Sequence, residues 1–240
     1  MDLLQDNSMD LLTTIEIEAI KLSLKISFWA LLWSLPLALG TALILARHHF
    51  PGKFIFDGII HLPLVLPPVV IGYVLLVLMG KKGLIGSFLY EELGISLSFS
   101  WRGAAIAAGI MAFPLIVRAI RLSLETVDQN LEAAARTLGA RPITVFMTIT
   151  LPLITPGIIA GAILGFARCL GEFGATITFV SNIPGETQTL PIALYGFSQV
   201  PGGEDSAFRI VIISIIIALS ALAGSEILAR RMHKHIGSGS

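Results

Sequence analysis

Long apolar runs separated by short polar segments form the dominant pattern along this chain. A helix needs about 20 residues to cross a bilayer. Five apolar stretches reach that length, roughly 20 to 46, 54 to 79, 101 to 121, 146 to 168 and 207 to 229. The pattern therefore predicts an all-α, polytopic membrane bundle with about five transmembrane helices, in one membrane domain over residues 20 to 230.

Composition supports the same class. Hydrophobic residues make up 55% of the chain and charged residues 13%, with a mean hydropathy of +0.85, which lies outside the range of soluble domains. The net charge of zero leaves no basic footprint for nucleic acid. One cysteine, Cys169, excludes an internal disulfide and a thiolate metal cluster. We expect no cofactor.

Basic residues cluster in alternate loops. They are Arg47, His48, His49 and Lys53 after the first span, Arg136 and Arg141 after the third, and Arg230, Arg231 and Lys234 after the fifth. The positive-inside bias makes these segments cytoplasmic. The tail 231 to 240 is then cytoplasmic, and the amino-terminal segment 1 to 19 lies outside, since five crossings is an odd number. Lys81 and Lys82 are the exception to the bias.

A short polar helix is predicted between the third and fourth spans. Asp128 or Asn130 can cap its start, Gly139 supplies a left-handed exit, and Pro142 prevents it from resuming. Spacings of three and four residues place an apolar stripe on one face, formed by Leu131, Ala134, Ala135 and Leu138. Such a stripe is suited to entering a groove on a partner, although an ordinary amphipathic loop helix is the alternative.

The spacing over 128 to 152 resembles the EAA loop of ATP-binding-cassette importer permeases. That pattern is Glu-Ala-Ala, three residues, Gly, nine residues, Ile, one residue, Leu-Pro, and its register is kept by Ala133, Ala134, Ala135, Gly139, Ile149, Leu151 and Pro152. The glutamate departs from it, standing one residue early at Glu132. The resemblance implies an ATPase-coupling set of Leu131, Glu132, Ala133, Ala134, Ala135, Arg136, Thr137, Leu138 and Gly139.

Two spans carry candidates for a pathway or gate. The second is interrupted by prolines and by Gly72, and broken helices in membranes usually line a cavity, although packing alone can also tolerate a kink. The fourth carries Thr155 and glycines four residues apart, which allow close helix approach and are an alternative to pore lining. The candidates are Pro67, Pro68, Gly72, Thr155, Gly161 and Gly165.

A polar segment from Ala167 to Tyr195 follows the fourth span and is expected to fold back at the outer face. Arg168 and Glu172 stand one helical turn apart, so a local ion pair is one interpretation. The other is that Arg168 offers positive charge to an anion in the pathway, where desolvation is costly.

This segment is similar to the molybdate importer permease family, in which Ala-Arg-x-Leu-Gly-Glu-Phe-Gly-Ala-Thr is followed by Asn-Ile-Pro-Gly-x-Thr and Leu-Pro. The matching residues are 167 to 176, 182 to 187, and 190 to 191. The resemblance implies a type I permease fold in a bacterial or archaeal inner membrane, assembled as a homodimer in lipid. It also implies two copies of a separate ATPase, an outer oxyanion-binding protein, and a gate near the dimer axis formed mainly by the second and fourth spans.

Other functions fit the residues less well. Sulfate or tungstate could replace molybdate as cargo. An ion-coupled secondary carrier would need buried ionisable groups, and His61 is more simply a hydrogen-bonded structural histidine. A passive anion channel would not need a docking helix. The chain has no Gly-x-x-x-x-Gly-Lys-[Ser/Thr] segment and no hydrolase constellation, which predicts a transport subunit whose ATP is hydrolysed on another chain.

Overall fold

The computed structural model describes the backbone of residues 12–237 and the side chains of residues 12–221, 223 and 224. All regular structure within that range is helical, which confirms the all-α prediction. The α-helices are α1 Thr14–Arg47, α2 Lys53–Val65, α3 Pro68–Met79, α4 Leu84–Leu93, α5 Trp101–Glu125, α6 Gln129–Thr137, α7 Pro142–Val145, α8 Leu151–Leu170, α9 Gly174–Val180, α10 Leu190–Ser198 and α11 Glu204–Gly237. A π-helical turn, Phe146–Thr150, joins α7 to α8.

Three of the described helical stretches are long and apolar enough to span a membrane: Thr14–Arg47, Trp101–Glu125 and Pro142–Leu170. A fourth is added if the bent pair α2 and α3 counts as one span. The fifth predicted span, 207 to 229, falls within α11, but the side chains from residue 225 onward lie outside the described part. Residues 1–11 of the predicted outer segment, and 238–240 of the tail, also lie outside it.

The second predicted span contains a sharp break. The axes of α2 and α3 differ by 111° across the residues between Val65 and Pro68. Proline has no N–H to continue a helical ladder, and it restricts the residue before it to extended backbone. Leu66 is accordingly extended, and Pro68 begins the new helix at its first position. The sequence indicated a break at these prolines but not its angle.

Helix α5 forms the centre of the bundle, packed between α1 and α8. Small residues make this close packing possible, since Ala104, Ala107, Ala108 and Ala112 are all fully buried. Gly109 faces the indole of Trp33 so closely that a Cβ atom there would collide with the ring. These small residues bring α5 close to its neighbours, and larger side chains such as Ile116, Ile120 and Leu124 fill the rest of the core.

The two ends of the bundle bring different segments together. At one end, the last residue of α1, Arg47, lies 2.8 Å from Glu132 in α6. At the other, Glu186 accepts a hydrogen bond from the backbone N–H of Trp101 at the start of α5 (3.2 Å), and Arg209 near the start of α11 pairs with Glu16 in the first turn of α1 (2.9 Å). The basic loop after α1 and the segment carrying α6 thus share one end.

Candidate functional site

Helix α6 has the bounds that its local sequence predicts. Asp128 is the N-cap, and its carboxylate accepts a hydrogen bond from the backbone N–H of Asn130 at 2.9 Å. Gly139 has φ of +87°, the left-handed conformation that glycine adopts at least cost. Pro142 then starts α7. The predicted cap, exit and stop are all present.

The apolar stripe of this segment is largely unburied. Leu138 is 89% exposed and Leu131 is 50% exposed, and Ile143 in α7 extends the same exposed surface at 61%. Ala135 is partly buried, whereas Ala133, Ala134, Arg136, Thr137 and Gly139 are exposed. Leu131, Leu138 and Ile143 are each half or more exposed in the described part of the chain, and we call them the exposed ridge.

Glu132 differs from the rest of the predicted coupling set because it points into its own chain. It is only 7% exposed, and its Oε1 accepts hydrogen bonds from Arg47 Nη2 and Thr150 Oγ1, both at 2.8 Å. Arg136 Nη2 lies 3.4 Å from Oε2. Its carboxylate is therefore bound by neighbouring elements of its own chain, and a part for Glu132 in ATPase coupling stays a prediction.

A polar depression lies beside the exposed ridge, between the end of α1 and α6. It is lined by Arg47, His48, Gln129, Asn130, Glu132, Ala133 and Arg136. A projecting apolar ridge next to a polar hollow gives this end of the bundle both shape and charge for recognising a protein surface.

The pathway candidates of the second span pack against α9. A Cβ atom at Gly72 would lie 2.5 Å from the carbonyl oxygen of Ala175, and one at Gly174 would lie 2.7 Å from Cβ of Pro68. Pro67 is exposed at the break itself, and Gly72 is buried. Helix α3 therefore packs closely against α9. Gly72 and Gly174 permit this approach because neither carries a side chain.

The glycines of the fourth span pack within the chain. A Cβ atom at Gly165 would lie 2.6 Å from the side chain of Ile116 in α5, and one at Gly161 would lie 3.3 Å from the carbonyl oxygen of Ile116. The hydroxyl of Thr155 donates to the carbonyl of Leu151 in its own helix at 2.8 Å. Gly161 and Gly165 therefore occupy the α5–α8 interface, which fits the packing alternative rather than pore lining.

Arg168 and Glu172 form an ion pair where α8 ends, with Nη1 and Oε2 2.6 Å apart. The other oxygen of Glu172 accepts a hydrogen bond from the backbone N–H of Ala175 at 2.8 Å. The local ion pair predicted from the spacing is present. It neutralises the positive charge of Arg168 and holds the start of α9.

The hydroxyls of the polar segment bond mainly to the backbone of that segment. Thr176 donates to the carbonyl of Phe173 (2.9 Å), Thr178 to that of Gly174 (2.9 Å), and Thr187 to that of Ser181 (3.0 Å). Ser23 in α1 accepts from the backbone N–H of Leu190 at 2.7 Å. These side chains shape the fold-back after α8, whereas Asn182 Oδ1 and Thr189 Oγ1 are buried without a hydrogen-bond partner in the described structure.

A charged cluster lies between α2 and α5 and was not predicted from the sequence. Arg121 Nη1 lies 3.1 Å from Asp57 Oδ2, and Arg121 Nε lies 2.9 Å from Glu125 Oε1. His61 Nδ1 lies 2.9 Å from the carbonyl oxygen of Asp57 and 3.1 Å from its carboxylate. His61 is therefore hydrogen-bonded, as predicted. Asp57 and His61 stand four residues apart, as do Arg121 and Glu125, and this spacing is the sequence signal that could have indicated the cluster.

Comparison with known sequences gives a consistent result. Residues 34–234 match the family described as binding-protein-dependent transport system inner membrane component. The chain is 59% identical to the molybdenum transport system permease protein ModB of Haemophilus influenzae, over 93% of this chain and 98% of that protein. It is 60% identical to the protein of the same name from Escherichia coli strain K12, over 95% of this chain and 99% of that protein. The sulfate transport system permease protein CysW of Synechocystis is 37% identical over 82% of this chain and 71% of that protein.

Solved structures share the fold at low sequence identity. A bacterial ABC transporter involved in the import of the acidic polysaccharide alginate aligns with a TM-score of 0.74 and 18% identity, covering 92% of this chain and 80% of that one. The MetNI methionine ABC transporter in an inward facing conformation aligns with a TM-score of 0.67 and 15% identity, covering 91% and 96%. The helical arrangement expected of an importer permease is thereby confirmed.

Proposed function

This chain belongs to the family of binding-protein-dependent transport system inner membrane components, and we propose that it is the permease subunit of an ATP-driven importer for molybdate. The single observation that carries the proposal is its high identity, over nearly the whole chain, to permeases named for molybdenum transport. The lower identity to a sulfate permease favours molybdate over sulfate. The subunit supplies a transport path, and a partner chain hydrolyses the ATP.

The exposed ridge of α6 and α7 is the docking surface for that ATPase. Leu131, Leu138 and Ile143 present apolar side chains that are half or more exposed in the described structure. Burying them in a groove of the ATPase removes apolar area from water, which provides affinity. The adjacent polar depression beside α1 adds groups that orient the two surfaces.

The basic segments define the sidedness. Arg47 and the loop after it share one end of the bundle with Arg136, and the positive-inside bias places this end in the cytoplasm. The ends of α1 and α11 joined by Glu16 and Arg209 then face the outside. The amino terminus lies outside and the carboxyl terminus in the cytoplasm, within a bacterial or archaeal inner membrane.

Two copies of the chain, embedded in lipid, form the translocation pathway at their shared axis. The broken span α2–α3, seated on α9, supplies an element whose bend can change without melting a continuous helix. Each copy binds one ATPase subunit, and an outer oxyanion-binding protein delivers the anion. Because cargo selection then lies mostly with that protein, the pathway needs only a weak site from which the anion is readily released.

The proposal is tested by uptake into proteoliposomes that contain the permease with its ATPase and its binding protein. We expect labelled molybdate to accumulate only with ATP on the ATPase side and with all three proteins present. Accumulation that follows a proton or sodium gradient without ATP would instead establish a secondary carrier. Sulfate uptake in preference to molybdate would overturn the cargo and leave the permease assignment standing, and tungstate competition measures how far the two dianions are distinguished.

A further inference from the structure

Glu132 lies where three separate elements of the chain meet. We propose that its buried carboxylate ties the docking helix α6 to the end of α1 and to the start of α8, so that the three move as one body. The inference rests on the proposed function, because it assumes that an ATPase acts on α6. It assigns Glu132 and Arg47 a positioning role inside the permease instead of a contact with the ATPase.

One carboxylate oxygen makes both long-range contacts. Oε1 of Glu132 accepts from Arg47 Nη2 and from Thr150 Oγ1, each at 2.8 Å. Arg47 is the last residue of α1, and Thr150 is the last residue of the π turn that leads into α8. Single π turns within helices often mark functional positions. The shared oxygen therefore fixes the distance between α1, α6 and α8 at one point.

The contacts are shielded from water, which distinguishes them from an ordinary surface ion pair. The side chain of Glu132 is 9% exposed and that of Arg47 is 18% exposed. Exposed pairs contribute little because water and salt screen them, whereas a buried carboxylate that loses its partner is strongly disfavoured. Arg136 also approaches Glu132, but it is 59% exposed and lies on α6 itself, so it adds no link between elements.

The rest of α6 has few other attachments. Among the described helices it packs mainly against α7 and the π turn, whereas α1 packs along α5 and α8. Without the Arg47–Glu132 contact, a force applied to α6 reaches α1 mainly by way of α7, the π turn, α5 and α8. With it, the end of α1 follows α6 directly, and the displacement is shared among the helices that form the body of the bundle.

The test measures ATP hydrolysis and anion uptake in the same proteoliposomes, using the full complex with labelled molybdate. For Arg47→Gln we expect the complex to assemble and hydrolyse ATP, while the anion imported per ATP falls about tenfold, within the range of coupling energies between sites. Arg47→Lys, which keeps a positive charge beside Glu132, should restore most of the ratio. Lys53→Gln removes a charge at the start of α2, close in sequence to Arg47, and serves as the matched control.

An unchanged ratio for Arg47→Gln would overturn the proposal. If that variant does not assemble because Glu132 is left unpaired, the double variant Arg47→Gln/Glu132→Gln removes both charges and provides the second measurement: a lowered ratio supports the link, and a normal ratio overturns it. A wild-type complex that neither binds an ATPase nor imports the anion would instead refute the proposed function, so the two failures are distinguishable.

Discussion

The guanidinium of Arg168 lies 2.6 Å from the carboxylate of Glu172, across the turn where α8 ends. The side chain of Glu172 is 1% exposed and that of Arg168 is 27% exposed, so Arg168 is the counter-charge to a buried carboxylate. Through its second oxygen Glu172 also holds the first turn of α9. Glu172 thus links the last turn of α8 to the start of α9.

Replacing Arg168 with alanine should destabilise the permease by about 3–5 kcal/mol, because it leaves a buried carboxylate without its counter-charge. Thermal unfolding of the purified protein in detergent measures the loss. The double variant Arg168→Gln/Glu172→Gln should recover most of it, since a glutamine can still accept the hydrogen bond from Ala175. If that stable double variant slows uptake with the complex assembled, Arg168 also serves the anion; unchanged uptake limits the pair to a structural role.

The contact between Gly72 and Ala175 should not tolerate a side chain. A Cβ atom at position 72 would lie 2.5 Å from a backbone oxygen and 2.8 Å from Cβ of Thr178, and neither can move without displacing α9. Gly72→Ala should cost about 1–3 kcal/mol and reduce uptake by separating α3 from α9. Gly58→Ala in α2 is the matched control, because no atom lies within 4 Å of that Cβ position. Equal behaviour of the two variants would contradict the assigned contact.

A charge at Leu138 should detach the ATPase while leaving the permease folded. The side chain is 89% exposed, so aspartate there costs little in the isolated chain, but it must be desolvated when the ridge enters a groove. We expect Leu138→Asp to weaken capture of the ATPase about tenfold or more, which corresponds to about 1.4 kcal/mol. Co-purification measures the effect.

The control places the same charge at the opposite end of the bundle. Val200 is 59% exposed in the loop before α11, and Val200→Asp should capture the ATPase normally. A bulky residue at Gly139 should act like Leu138→Asp, since φ of +87° there disfavours any side chain. Undiminished capture by both Leu138→Asp and Gly139→Val would remove the docking assignment from α6.

Gly165 in α8 packs against Ile116 in α5, so a larger residue at position 165 should be compensated by a smaller one at position 116. A methyl group at Gly165 would come within 2.6 Å of two side-chain carbons of Ile116, so Gly165→Ala should lower the unfolding temperature through overpacking. Adding Ile116→Ala removes those carbons and should restore part of the stability. Additive losses in the double variant would show that the two positions do not share this contact.

Local patterns predicted a large part of this permease. The apolar runs marked α1, α5, α8 and the bent pair α2–α3, and the cap and exit residues of α6 fixed its bounds, because capping and helical periodicity depend on residues within a few positions of one another. The prolines marked the break after Val65 for the same reason. The ion pair of Arg168 with Glu172 followed from a spacing of one turn. Each of these features is encoded within one continuous stretch of the sequence.

Only the tertiary structure decided which neighbours Glu132 and the glycines of α3 and α8 contact. The partner of Glu132 stands 85 residues away in Arg47, and their meeting depends on how α1 packs along α5. Gly72, Gly161 and Gly165 could equally have lined a pathway, and the close approach of α9 and α5 fills the space beside them instead. The sequence by itself determined the long apolar helices and the ends of α6, since those depend on short-range geometry, whereas the direction of each buried side chain was set by neighbours that only the folded bundle brings together.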